Sequence, residues 1–162
     1  MSEPKQQKRG KKIAMTADEI NAFLSERKIC RVGTIKGSGQ PHVTALFFAW
    51  DGQSIWLYSI TGSQRWKNLI NDPRVSILVD SGEEYFELRG VEMSGEVEQV
   101  GEIPRVGEKA DGLEGLEAVE KIYAEKYNKS DEMTYDGKHA WLRLTPKKIV
   151  SWDFTKLPAP NE

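Results

Sequence analysis

The sequence predicts a mainly β fold, a barrel or sandwich of short strands that carries two or three helices. Short runs rich in β-branched and aromatic residues recur along the chain, and turn signals with Gly, Asp or Pro separate them. The strands and helices do not alternate, which argues against a doubly wound parallel sheet. A length of 162 residues fits one domain, large enough to bury a core without metals or disulfides.

The first elements are a helix and three strands. Thr16 and Glu19 form a predicted capping box, which begins a helix that runs to about Lys28. Three strands follow, over 29–35, 43–50 and 54–60. The hairpin signal Asp51-Gly52 lies between the second and the third. Alternate residues on both sides of the second strand are apolar, so we expect both of its faces to be covered.

The remaining elements begin with a short helix over 65–71, which Asp72-Pro73 ends. We then expect a strand over 74–80 and a long extended segment over 85–100. An amphipathic helix over 113–127 follows, and strands over 140–144 and 148–152 close the chain. Gly90 and Gly95 interrupt the extended segment and predict bulges or a sharp bend there. We place the single domain at 13–155 and a tail at 156–162.

Charge and cysteine content limit the possible classes of function. The net charge of −2 gives no global reason for nucleic-acid binding. The single cysteine, Cys30, cannot form an internal disulfide, and no apolar run or secretory segment indicates a membrane protein or an exported one. We therefore expect a cytoplasmic protein that binds neither nucleic acid nor membrane. Residues 1–12 form a basic arm with almost no apolar side chains, which we expect to be disordered when alone.

The segment from Ser59 to Asn68 is the most informative for chemistry. It brings the hydroxyls of Ser59, Thr61 and Ser63 to the start of a helix that carries Gln64, Arg65, Trp66 and Lys67. Ser63 can cap that helix, and the N–H groups of its first turn then point outward as an anion site. Arg65 can hold phosphate oxygens bidentately, and Lys67 adds a compact positive charge. The alternative is a capped surface helix with two solvated cations.

Tryptophan is the second feature, since the chain has five. Trp66 and Trp152 are the better candidates for stacking on a planar ligand, although a tryptophan more often fills a core or a subunit interface. His42 and His139 show no metal-ligand spacing and read as ordinary polar residues. No nucleophile motif and no glycine-rich phosphate loop is present, so we nominate no catalytic residue and no metal site.

Three blocks of the sequence resemble the pyridoxamine 5′-phosphate oxidase-like FMN-binding split β-barrel superfamily. They are Val32-Gly33-Thr34-Ile35 with Gly39 to Ala45, Ser59-Ile60-Thr61 with Arg65 to Leu69, and Asn71 to Val79 with Arg89-Gly90 and Gly95-Glu96-Val97. The likeness is strongest to the actinobacterial branch that includes F420-dependent oxidoreductases. It implies a six- to seven-stranded antiparallel split β-barrel of Greek-key topology with two or three peripheral α-helices.

The resemblance also implies a cofactor site. Residues at the positions of Val43, Thr44 and Ala45 contact a flavin or deazaflavin ring, largely through the backbone, and the segment from Ser59 to Lys67 binds its phosphate. Arg65 and Lys67 stand where the family places its basic phosphate ligands. The cofactor lies at the interface of a homodimer, where Trp152 of the second subunit is a candidate contact.

The implied function is an oxidoreductase that binds F420 or FMN, with a slight preference for F420, and passes a hydride to or from a planar conjugated small molecule. The alternative is a non-catalytic carrier of flavin, F420 or haem, since fold does not fix function. The chain ends in Trp152-Asp153-Phe154 and lacks the terminal substrate motif of true pyridoxamine 5′-phosphate oxidases, which argues against vitamin B6 oxidation. The basic arm is complementary in charge to the oligoglutamate tail of F420.

Overall fold

A computed structural model describes residues 3–108, 113 and 115–160 of the chain. This part contains three α-helices: α1 (Ala17–Glu26), α2 (Gln64–Asn71) and α3 (Leu116–Tyr123), the last continued by one wide turn over Ala124–Asn128. Its seven strands are β1 (Ile29–Ile35), β2 (Pro41–Trp50), β3 (Ile55–Ile60), β4 (Arg74–Ser81), β5 (Arg89–Val100), β6 (His139–Leu144) and β7 (Lys148–Asp153).

The strands form a closed antiparallel barrel. Six of them follow the order β4-β1-β2-β3-β6-β5, and a further pairing between β4 and β5 closes the ring. The seventh strand, β7, lies outside the ring and pairs with β5. The predicted fold class, a mainly β antiparallel split barrel with a small number of peripheral helices, is confirmed.

The two halves of strand β5 pair with different strands. Its first half pairs with β4 and β7, and Val97–Val100 pair with β6. Gly95 lies at the change of partner, where a Cβ atom would come within 3.0 Å of Leu144 Cδ1. The interruption expected at Gly95 corresponds to this change of partner, whereas Gly90 pairs in unbroken register with Asp80 on β4 and Trp152 on β7, so the bulge expected at Gly90 is wrong. Tyr85–Glu87, expected to be extended, instead form one turn of 3₁₀ helix before β5 begins.

Strand β2 divides in the same way, and this division opens the barrel wall. Its residues 41–47 pair with β1, but only Phe48, Ala49 and Trp50 pair with β3. Residues 41–47 of β2 have no backbone pairing with β3, and this unpaired part of the wall is called the gap below. The expectation that both faces of β2 are covered is wrong for the single chain, since Val43 is 68% and Phe47 47% exposed.

The interior of the barrel holds the main hydrophobic cluster, to which α1 contributes Phe23 and Leu24. A second cluster, centred on Trp56 and Trp141, lies beneath α3. Cys30 is fully buried in the main cluster, and burial raises the pKa of its thiol to about 12, so it serves as a small apolar residue as expected.

The N-terminal arm lies along the outer edge of β7. The N–H of Lys5 donates to the carbonyl of Lys147 at 3.0 Å, and the side-chain amide of Gln7 pairs with both the N–H and the carbonyl of Ser151. These contacts cover a strand edge that would otherwise present unpaired backbone groups. Disorder of the isolated arm and the domain boundaries stay predictions. Across the described residues, no helix is long and apolar enough to cross a membrane.

Candidate functional site

The start of α2 leaves backbone donors available. Ser63 is the N-cap, and its hydroxyl accepts from the N–H of Trp66 at 3.1 Å. In residues 3–108, 113 and 115–160, no protein group accepts from the N–H of Gln64 or Arg65. The sequence-based prediction of the cap is confirmed, and the two N–H groups, at the positive end of the helix dipole, are available to an anion.

Arg65 turns from this helix start into the gap between β2 and β3. Its Nη1 donates to Thr44 Oγ1 on β2 at 2.7 Å, while Nε and Nη2 donate to Ser59 Oγ on β3 at 3.2 and 3.1 Å. The residue is only 8% exposed. The guanidinium thus spans the gap at the level where these two strands have no backbone pairing.

No negative charge neutralises Arg65 within the described part of the chain. Its partners are neutral hydroxyls, and no carboxylate lies within ion-pair distance. Burial lowers the pKa of the guanidinium, as expected when a charge is removed from water without a counter-charge. A guanidinium has five N–H groups, three of which make these bonds, so two remain for a ligand. Such a cation favours a bound anion.

A cavity of about 420 Å³ opens beside Arg65. Its walls are largely aromatic and aliphatic, and they consist of Ile29, Ala45, Leu46, Phe47, Tyr58, Ile60, Tyr123 and His139. Phe47 stacks on Tyr127 with ring centroids 4.4 Å apart, and Tyr58 stacks on His139 at 4.7 Å. An apolar aromatic cavity with one buried cation suits a planar ligand that carries an anionic group.

A larger groove of about 620 Å³ crosses β1, β2, β4 and β5. Its cations already have partners, since Arg74 pairs with Asp72 at 2.6 Å and Lys147 with Glu96 at 3.1 Å. The buried cation without a carboxylate partner among the described residues therefore lies in the smaller cavity, at Arg65.

The structure brings together only part of the predicted site. Thr44, Ser59 and Arg65 are in direct contact, and Ala45 lines the cavity. Ser63 caps α2, Gln64 bonds to Asn68 Oδ1 at 2.7 Å, and Thr61 bonds to the carbonyl of Lys138 at 3.2 Å. Their contacts with a cofactor stay predictions.

Four predicted residues lie elsewhere. Val43 lines the larger groove, Lys67 is exposed on the surface of α2, and Trp66 belongs to the main core with 6% exposure. The Trp152 ring packs on Gly90, where a Cβ atom would lie 2.2 Å from Cζ2 of the tryptophan. Within a single chain, therefore, neither Trp66 nor Trp152 offers its ring to the cavity.

Sequence reasoning missed Tyr58 and His139. The register of β3 and β6 places His139 of β6 opposite Ile60 of β3. Tyr58 lies two residues before Ile60 on the same strand, within reach of the His139 ring. Because strand pairing alone brings them together, no local motif marks either residue. No three His, Cys, Asp or Glu side chains of the described residues come together in a way that could hold a metal ion.

Comparisons with known proteins identify the family to which the chain belongs. The family model described as pyridoxamine 5′-phosphate oxidase matches residues 16–153. A conserved hypothetical protein from Mycobacterium tuberculosis is 30% identical in sequence, with a TM-score of 0.74 and coverage of 97% of both chains. No protein of curated function matches the sequence.

Two more distant structures share the fold. A FAD-binding protein from Mesorhizobium loti is 19% identical, with a TM-score of 0.64 over 85% of this chain and 93% of that one. An F420 reductase is also 19% identical, with a TM-score of 0.57 over 80% of this chain and 94% of that one.

Proposed function

Because the chain belongs to the pyridoxamine 5′-phosphate oxidase family, we propose that it binds a phosphorylated flavin or deazaflavin, FMN or F420, in the cavity between β2 and β3. The observation that carries the proposal is Arg65, a buried cation that spans two strands and has no carboxylate partner among the described residues. A phosphate group would supply the missing negative charge.

The residues present fit such a cofactor. The two unused N–H groups of Arg65 and the first-turn N–H groups of α2 are donors for a phosphate, and Lys67 adds positive charge from the surface. Ala45 and Phe47 on the exposed face of β2 offer an apolar surface for a ring. When bound, the cofactor supplies the hydride chemistry, while the protein binds it, orients it and limits the access of water.

We further propose that the functional unit is a homodimer. Four large apolar side chains are 45% to 68% exposed along β1, β2 and β3, namely Ile29, Val43, Phe47 and Ile60. Exposed large apolar side chains on neighbouring strands are typical of an interaction site. A second copy on this face would cover the open side of the cavity, and its Trp152 is the proposed contribution from the partner chain.

The aromatic cavity supports an oxidoreductase that passes a hydride to or from a planar conjugated small molecule. F420 is the preferred cofactor, as the sequence blocks resemble the F420-dependent branch. The second candidate is a non-catalytic carrier of flavin, F420 or haem. His139 favours haem, since its imidazole lines the cavity and histidine is a common axial ligand of haem iron.

Titration of the purified protein with FMN, F420 and haemin tests the proposal. We expect quenching of cofactor fluorescence by F420 or FMN, with F420 bound more tightly, and no comparable spectral shift with haemin. Oxidation of the reduced cofactor by planar conjugated acceptors then separates an enzyme from a carrier. Binding of haemin alone would replace the proposal with the second candidate, and binding of none of the three would refute both.

A further inference from the structure

A buried carboxylate, Glu120 of α3, joins several of the elements that surround the cavity. It is only 7% exposed, and it accepts four hydrogen bonds: from Arg105 Nε and Nη2 at 2.7 and 3.1 Å, from the Tyr135 hydroxyl at 2.8 Å and from Trp141 Nε1 at 3.0 Å. A carboxylate has about four acceptor positions, so the donors use all of them. These four residues, called the Glu120 cluster below, link α3 to β6 and to the segments before and after α3.

The cluster holds the cavity wall formed by β6 at two points. The backbone N–H of Arg105 donates to the carbonyl of His139 at 2.8 Å, while its guanidinium is held by Glu120. Tyr135, which also bonds to Glu120, directly precedes Asp136, and Asp136 Oδ2 lies 2.8 Å from Nδ1 of His139. The ring of His139 lines the cavity. Both its backbone and its side chain are therefore connected to the same buried carboxylate.

The cluster also holds the wall formed by α3. Tyr123 follows Glu120 by about one helical turn and lines the cavity. Its ring packs edge-on against Trp141, with centroids 5.4 Å apart, and against Tyr58 at 5.7 Å. Trp141 is fully buried, and its indole N–H bonds to Glu120. The carboxylate therefore fixes both the helix that carries Tyr123 and the ring on which Tyr123 packs.

A buried ion pair of this kind is better explained by geometry than by stability. It adds little net stability compared with apolar side chains of the same volume. It does define one arrangement, because each N–H and O–H donor must meet its own oxygen. A wall that is already ordered favours binding of a planar ring, since fewer groups lose freedom when the ligand enters.

We propose that Glu120 is a positioning residue for the ring of the bound cofactor: it lies outside the lining of the cavity and holds Tyr123 and His139 in the geometry that the ring requires. The inference rests on the proposed function, because it concerns the same cavity. Arg65 serves the phosphate of the cofactor, whereas the Glu120 cluster acts on the ring alone. Loss of the one and loss of the other therefore predict different patterns of affinity.

Affinities of the Glu120→Gln variant for FMN and F420, and for their phosphate-free forms riboflavin and 8-hydroxy-5-deazariboflavin, test this inference. Glutamine places an N–H₂ group where one carboxylate oxygen was, so two of the four donors lose their acceptor, while Arg105 keeps Glu102 as a partner. We expect a cofactor and its phosphate-free form each to bind about tenfold more weakly, because a displaced wall affects the ring that both share. The ratio of their two affinities should stay as in the wild type.

Visible circular dichroism of the bound cofactor gives a second readout, which a loss of stability alone would not change. The ring is achiral, so its dichroism reports how firmly the chiral surroundings hold it. At saturating cofactor we expect weaker or altered bands in Glu120→Gln than in the wild type. Thr16→Ala is the matched control, since it removes the N-cap of α1 and lowers stability, but α1 contributes no residue to the lining of the cavity. It should keep the affinities and the dichroism of the wild type.

Tyr135→Phe carries the test if Glu120→Gln does not fold. The Tyr135 residue is 37% exposed, and the variant removes one donor of the cluster and nothing else. We expect weaker binding of both forms of the cofactor and altered dichroism, in the same direction as for Glu120→Gln.

Three results would decide against these proposals. Affinities and dichroism equal to those of the wild type in folded Glu120→Gln, or in Tyr135→Phe where only that variant folds, would overturn the inference while cofactor binding itself stands. A loss confined to the phosphorylated form would overturn it too, because the effect would then lie at the phosphate and not at the ring. Absence of FMN and F420 binding to the wild type would refute the proposed function as well.

Discussion

Arg65 Nη1 donates to Thr44 Oγ1 at 2.7 Å and so joins α2 to β2, while its other nitrogens bond to Ser59 on β3. The guanidinium lies where the barrel wall opens, because β2 and β3 pair only from Phe48 onward. Arg65 in this position can serve as a latch, that is, a purely structural hydrogen-bonded link between β2 and β3, or as an anion-binding group. The two roles predict different effects on stability.

Replacement of Arg65 by Met should change the free energy of unfolding of the ligand-free protein by no more than about 1 kcal/mol. Three hydrogen bonds to hydroxyls are lost, but a buried charge without a counter-charge is removed as well, and the two effects offset each other. Urea denaturation measures the change, with Arg74→Met as the control for a paired surface cation. A loss of more than about 3 kcal/mol would instead indicate a latch.

Tyr127→Phe should destabilise the protein by about 1–3 kcal/mol. The Tyr127 hydroxyl lies 3.1 Å from the N–H of Phe48 and 2.7 Å from the carbonyls of Phe48 and Lys28, at the upper end of the gap. Its removal leaves these backbone groups without that partner. Tyr85→Phe is the control, because the Tyr85 ring is 59% exposed and its hydroxyl has no hydrogen bond among the described residues. Equal stability of the two variants would show that the Tyr127 bonds contribute little.

Gly90→Ala should destabilise the fold by about 1–3 kcal/mol, the usual cost of overpacking. The added methyl group would overlap the Trp152 ring, so β7 must shift away from β5. Thermal unfolding and tryptophan fluorescence report the change. Gly37→Ala adds the same atom in a turn where nothing lies within 4 Å, and it should unfold as the wild type does. If both variants behaved alike, the close packing of Trp152 on Gly90 would be contradicted.

We expect the stability of the protein to depend on pH because of the partly buried amine of Lys126. Burial lowers the pKa of its amine to about 8 from an ordinary value of 10.5, although Nζ lies 4.1 Å from the centre of the Phe48 ring and donates to the carbonyl of Leu24. A lowered pKa in the folded state means that the unfolded chain binds the proton more tightly. The resulting cost is fully present below pH 8 and is lost as the pH rises toward 10.5.

The comparison with Lys126→Met isolates this effect, because most other titrating groups cancel in the difference. We expect the stability of the wild type relative to the variant to increase by about 1 kcal/mol between pH 7 and pH 10, after allowance for partial exposure. Urea denaturation at the two pH values measures it. A difference that does not change with pH would show that the amine keeps its ordinary pKa.

Local signals in the sequence account for most of the fold. The capping residues Thr16 and Ser63 marked the starts of α1 and α2, and alternation with Gly and Pro turns marked the strands. The gap between β2 and β3 was not predictable, because it depends on which residues of β2 pair with which neighbour. The apolar outer face of β2 looked like a covered strand, although the single chain leaves it exposed.

The residues of the candidate site also differ in whether the local sequence predicts them. Arg65 and Ser59 belong to one local segment, so their hydroxyl, charge and helix-start chemistry is readable from the sequence. His139 contacts Tyr58 only because β3 pairs with β6, so the sequence alone indicated an ordinary polar residue at position 139. Trp66 stood beside the predicted phosphate site in sequence, but helical periodicity turns its ring into the core.

The most direct test of the central claim is the difference in affinity between FMN and riboflavin, which lacks the phosphate, in the wild type, Arg65→Met and Lys67→Ala. We predict that the wild type prefers FMN by at least tenfold, about 1.4 kcal/mol or more for a charge-assisted contact. Arg65→Met should lose that preference, and Lys67→Ala should keep most of it because Lys67 is exposed. An equal preference for FMN in the wild type and in a folded Arg65→Met variant would contradict the assignment of Arg65 as the phosphate-binding residue.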